Sequence, residues 1–119
     1  MALKKLWNQF VKKYMKNTAE SIDGMEFPTD EVRRYRIKFS GLVQGVGFRY
    51  ETWSIAQKLN LVGFVENLPN GMVYAEIEGE KNKILYLIDS LKSIPRIQIQ
   101  NIEINEMELK KESTFEIGN

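Results

Sequence analysis

Across residues 33–104 the apolar period of this chain switches between two and about 3.6 more than once, and that alternation constrains its fold more than any other feature. In residues 33–40 Tyr35, Ile37 and Phe39 alternate with Arg34, Arg36 and Lys38, the pattern of a strand with one buried face. Phe48, Thr52, Ile55, Ala56 and Leu59 then share one face of a helix over residues 48–60. Residues 61–67, LVGFVEN, return to strand, and the turn LPNG follows. Its Asn70-Gly71 pair signals a hairpin, because both residues tolerate positive φ. The third strand, MVYAEIEG, is expected to bury Val73, Ala75 and Ile77 and to expose Tyr74, Glu76 and Glu78. Ile84, Leu87, Ile88 and Leu91 form one stripe on a second helix over residues 80–93. The long strand after it carries Ile97 and Ile99 at odd positions but Ile102 and Ile104 at even ones, so a bulge is expected near Asn101. A short strand, STFEIG, ends the sequence.

The order β-α-β-β-α-β is that of a ferredoxin-like α+β sandwich, an antiparallel sheet with two helices on one face. It occupies residues 31–119. Residues 1–30 form an appendage of a different kind. Leu3, Leu6, Trp7, Phe10, Val11, Tyr14 and Met15 recur at helical spacing over a lysine-rich polar face, which predicts an amphipathic helix. An acidic stretch with Gly24 and Pro28 follows and reads as a linker.

Composition removes several chemistries. The sequence has no cysteine and no histidine, which excludes disulfides, thiolate nucleophiles, Cys/His zinc sites and His-based acid–base catalysis. No Asp/Glu cluster of the calcium-loop type occurs. The lack of cysteine fits a cytoplasmic protein, and no apolar run is long enough to span a membrane. Five lysines and no acid lie in residues 1–16, whereas residues 31–119 carry twelve bases and twelve acids. A neutral body argues against a nucleic-acid binder.

The junction between the first strand and the first helix reads GLVQGVGFRY, residues 41–50. A cation at a helix N-terminus is disfavoured by about 0.3–1 kcal/mol unless an anion lies between charge and dipole. N–H groups of a glycine-rich turn and of a helix start can converge on anionic oxygens, and Arg49 can fork onto two of them. The stretch is neither a Walker loop nor a G-x-G-x-x-G fingerprint. Spacing alone leaves two readings open: an anion cradle, or a tight turn followed by a solvated arginine. Asn67 is equally open, since NLPNG is turn-like and asparagine favours turns.

The residues resemble the acylphosphatase signature. G-x-V-Q-G-V-x-F-R is matched by Gly41, Val43, Gln44, Gly45, Val46, Phe48 and Arg49, and a second block by Gly63, Phe64, Val65, Asn67, Gly71 and Val73. The resemblance spans the whole body. It implies that Arg49 binds phosphate, that Asn67 orients the attacking water, and that the backbone of Gln44, Gly45, Val46, Gly47 and Phe48 cradles the phosphoryl group. Leu68 departs from the family, in which threonine is common at that place. The implied reaction releases a carboxylate and inorganic phosphate from an acyl phosphate, with phosphate as product and inhibitor and with no metal or cofactor. A carboxylate leaves readily because its pKa is near 4, so the lack of histidine is no obstacle.

Two rival readings remain on the sequence. A non-catalytic acylphosphatase-like module binding phosphate or carbamoyl phosphate occurs at the front of a larger maturation protein with cysteine-rich zinc segments. The cysteine-free sequence favours the free-standing enzyme. RNA recognition motifs share the topology, but Glu76 and Glu78 should face Arg34, Arg36 and Lys38, and cross-strand ion pairs explain those charges more simply. Residues 1–16 suit either an anionic membrane surface or packing on the body or on a second copy. Lipid binding predicts that anionic liposomes co-sediment the full chain but not one beginning at Asp30; equal recovery in the supernatant would exclude it.

Overall fold

The computed structural model describes residues 25–119. The helix expected over residues 1–16, and the linker as far as Gly24, lie outside the described residues. The body runs β1 (Val32–Leu42), α1 (Phe48–Lys58), β2 (Val62–Asn67), β3 (Val73–Glu80), α2 (Lys81–Lys92), β4 (Gln98–Met107) and β5 (Phe115–Ile117). The sheet order is β4-β1-β3-β2-β5. The first four strands are antiparallel neighbours, as expected. The final strand differs: β5 pairs parallel with β2, placing Phe115, Glu116 and Ile117 beside Gly63, Phe64 and Val65 and making the sheet mixed.

Period-two alternation on β1 and β3 puts Tyr35, Ile37, Phe39, Val73, Ala75 and Ile77 on the helix-facing side, all buried. Phe48 and Thr52, Ile55 and Ala56 of α1 and Ile84, Leu87, Ile88 and Leu91 of α2 meet them there. The Phe39 and Phe48 rings lie 4.9 Å apart, and each buried ring contributes about 1.5–3 kcal/mol. The bulge falls where the parity of the isoleucines changes: Ser40 faces Asn101 but Gly41 faces Ile99, leaving Gln100 unpaired with β1.

The outer face of the sheet departs from its pattern. Glu76 and Glu78, expected to be exposed, are 7% and 5% exposed, and Arg34 is completely buried. Charged residues can be buried when paired and hydrogen-bonded on every side. Arg34 donates to Glu76, Glu78 and Glu112 at 2.8–3.1 Å. The chain between β4 and β5 crosses over them: Lys110 and Lys111 donate backbone N–H groups to Glu78, and Lys110 Nζ reaches Glu76 at 2.9 Å. Alternation says which side of a sheet is polar, but not that a later segment will cover it.

Residues 25–31 run against α2. Phe27 meets the Tyr86 ring edge-on at 5.5 Å, and Met25 also packs on the core. Helix α2 has no cap from its own Glu80 side chain. Asp30 supplies one instead, accepting from Asn82 N at 3.0 Å, while Asn82 Nδ2 donates to Pro28 O. A carboxylate at that place also complements the helix dipole.

Burial alone would raise the pKa of Glu76, but hydrogen bonds from Tyr74, Lys110 and Arg34 outweigh it and hold the carboxyl at about 2. A depressed folded pKa gives stability that is complete above the ordinary carboxylate range and is lost as pH falls toward 2. Arg34→Met leaves buried Glu78 without its Arg34 partner and Glu76 with Lys110 as its remaining cation, and should cost about 3–5 kcal/mol at pH 7 by urea denaturation. The deficit should shrink as the same titration is repeated from pH 5 to pH 2. A constant deficit would mean that the cluster is not what sets acid stability.

Candidate active site

The turn from β1 into α1 is built around two glycines in the left-handed region, Gly45 at φ 75° and Gly47 at φ 80°. Gly47 is the N-cap of α1 and offers no side chain to cap it. The N–H groups of Gln44 through Phe48 donate to no acceptor among the described residues. Most unpaired amides in a folded chain meet solvent or a ligand. Here left-handed glycines alternate with ordinary residues, the backbone pattern from which anion-binding nests are built.

Side chains hold this turn in place of backbone bonds. Gln44 Nε2 donates to Leu68 O and Met72 O, both at 2.8 Å, and so ties the turn to the β2–β3 hairpin. On the other flank Arg96 Nε donates to Val46 O at 2.7 Å, and Arg96 also pairs with Glu51.

Arg49 is the second residue of α1, and its Nη1 donates to Gly118 O at 2.8 Å. That acceptor arrives because β5 continues along β2: Gly118 N donates to Val65 O, and Asn67 N to Asn119 O at 2.6 Å. Gly63 permits the tight pairing on the other side of β2, since a Cβ there would lie 1.9 Å from Glu76 O. Asn67, the last residue of β2, keeps its Oδ1 buried with no hydrogen-bond partner among the described residues. A buried acceptor left unmade costs about 1–3 kcal/mol, so its retention calls for a reason.

These groups share one open cleft of about 320 Å³, lined by Val43, Gly45, Gly47, Phe48, Arg49, Tyr50, Asn67 and Ile117. Of the residues expected to form the site, Gly45, Gly47, Phe48, Arg49 and Asn67 line it. Gln44 and Val46 do not; the first braces the hairpin and the second turns its carbonyl toward Arg96. Tyr50 and Ile117 on its rim are 61% and 44% exposed. Neither was anticipated from the sequence, nor were Gly118 and Arg96. Only Tyr50, adjacent to Arg49, carried a local signal.

A ferredoxin-like α+β domain with an uncapped, glycine-rich helix start facing an arginine and an asparagine defines a small-anion-handling class. Similarity to known proteins narrows that class. The family model described as acylphosphatase matches residues 35–117. An acylphosphatase of Acaryochloris marina is 44% identical over 79 residues, which span 66% of this chain and 85% of that one. The crystal structure of acylphosphatase from Bacillus subtilis matches with a TM-score of 0.69 at 33% identity, over 75% of this chain and 100% of that one. Full-length HypF in the phosphate- and nucleotide-bound form matches with a TM-score of 0.67 at 34% identity, over 79% of this chain but 13% of the other. The chain belongs to the acylphosphatase family, enzymes that hydrolyse acyl phosphates.

Gly45→Ala isolates the backbone requirement, because a Cβ there meets nothing within 4 Å. Strain at φ 75° should cost about 1–2 kcal/mol in urea denaturation. An unchanged midpoint would show that the turn does not need a left-handed residue.

Proposed function

We propose that this chain hydrolyses an acyl phosphate whose phosphoryl group sits in the turn 44–48, held by backbone amides and the Arg49 guanidinium, with the attacking water oriented by Asn67. The observation that carries the reading is that Gly45, Gly47 and Phe48, whose backbone N–H groups are unpaired among the described residues, line one cleft with Arg49 and with Asn67, whose Oδ1 is unpaired. The amides of Gln44–Phe48 and the Arg49 fork are suited to equatorial phosphoryl oxygens, and Asn67 Oδ1 is suited to accept from a water.

The chemistry needs little else. Phosphoryl transfer is driven mainly by positioning and by stabilising charge on the equatorial oxygens. Water oxygen bonds to phosphorus as the bond to the acyl oxygen breaks, and that oxygen leaves with the electron pair as a carboxylate. Its pKa near 4 removes the need for a general acid. The proton of the attacking water passes to the phosphate product. An amide is no base, so Asn67 contributes orientation rather than proton abstraction. A phosphate monoester, whose alkoxide leaves poorly, is a bad substrate for such a site. Gly118 O, by fixing one edge of the Arg49 guanidinium, limits the rotamer freedom lost on binding.

A phosphate-binding module without turnover is the second reading, prompted by the likeness to a small portion of HypF. Phosphate release from benzoyl phosphate separates the two. Arg49→Gln and Asn67→Ala should each lower kcat by about 10²–10³-fold, and inorganic phosphate should inhibit the wild type competitively. Wild-type release no faster than that of Arg49→Gln would leave binding alone.

A further inference from the structure

Arg96 lies in the connection between α2 and β4 and does not line the cleft, yet among the described residues it makes the side-chain hydrogen bond to the peptide group at the centre of the turn. Its Nε donates to Val46 O at 2.7 Å, and its Nη2 pairs with Glu51 in the first turn of α1. In a trans peptide the C=O and the following N–H point in opposite directions. A carbonyl of Val46 held toward Arg96 therefore turns the N–H of Gly47 away from Arg96. Gly47 lines the cleft, and its outer side is closed by the same guanidinium, which would stand 3.3 Å from a Cβ at that position. Glycine at 47 leaves the 46–47 peptide free to rotate, since Gly adopts either sign of φ at little cost. Without a tether the N–H would divide its time between orientations.

We infer that Arg96 is a positioning residue: by pinning the Val46 carbonyl outward it presents the Gly47 amide to the phosphoryl group, with Glu51 fixing the guanidinium. The inference rests on the proposed seat for phosphate in the turn 44–48. Glu51 has two effects here. It orients Arg96 toward Val46, and it offsets a second cation beside the positive end of α1. Arg96 is then no rival to Arg49 for the substrate, since its Nε and Nη2 are both engaged.

The test follows the Gly45 and Gly47 amide resonances by NMR during titration with inorganic phosphate, beside benzoyl phosphate kinetics. In the wild type both amides should shift. In Arg96→Met the Gly47 shift should fall to less than half while the Gly45 shift persists, and kcat/KM should drop about tenfold, the scale of one charge-assisted hydrogen bond. Arg96→Lys, which keeps a donor for Val46 O, should recover most of the Gly47 shift. The Arg96 side chain is half-exposed, so these variants should stay folded, with an unchanged urea midpoint as the check. Equal Gly47 shifts in the wild type and Arg96→Met, with unchanged kinetics, would overturn the positioning role. Absence of any turn-amide shift in the wild type would instead overturn the phosphate seat itself.

Discussion

Backbone N–H groups can be kept unpaired in a folded protein only if something other than their own hydrogen bonds fixes the chain that carries them. That constraint governs the region around residues 44–48. Helix α1 fixes one end and β1 the other, and the intervening turn is gripped through its surroundings: Gln44 reaches across to Leu68 and Met72, and Arg96 takes the carbonyl of Val46. Every grip uses a side-chain donor on a main-chain acceptor, so the amides themselves stay available. Cooperative placement of this kind costs entropy at folding rather than at binding, which is the physical meaning of a preorganised site.

The far side of the sheet serves the same end indirectly. Arg34 and its three carboxylate partners fasten residues 110–112 across β1 and β3. A buried ion cluster is a poor way to gain stability compared with apolar packing, but it fixes direction. From it the chain passes to β5, Phe115 enters the core, and Gly118 arrives beside Arg49. Burial also raises the Tyr74 hydroxyl to about 12, as does its hydrogen bond to Glu76, so the phenol remains a donor to that carboxylate throughout the useful pH range.

Much of this was legible in the residues, and the failures have physical causes. The two helices and the first four strands follow from periods of 3.6 and two in segments long enough to display them, and the parity change of the isoleucines located the Gln100 bulge to within a residue. Gly45, Gly47 and Arg49 drew notice because glycine and a helix-start cation are locally anomalous, whereas Asn67 read locally as a turn residue and stood out only through the family resemblance. The burial of Glu76 and Glu78 was not legible, because it depends on a segment more than thirty residues away crossing above them. The parallel pairing of β5 was missed for a related reason: a three-residue strand carries no period of its own. Arg96 looks like any surface arginine until the α2–β4 connection brings it against Val46, a partner 50 residues distant.

The placement of β5 makes the setting of Arg49 depend on the sheet's margin. Arg49 meets its acceptor across 69 residues of sequence, through a three-residue strand at the sheet's margin. Closing so long a loop is entropically slow, and short marginal strands are the first to fray. A molecule with that margin detached would take Phe115 out of the core and leave the Arg49 guanidinium without the Gly118 carbonyl that holds it. The setting of this guanidinium is therefore only as firm as the pairing of one short edge strand.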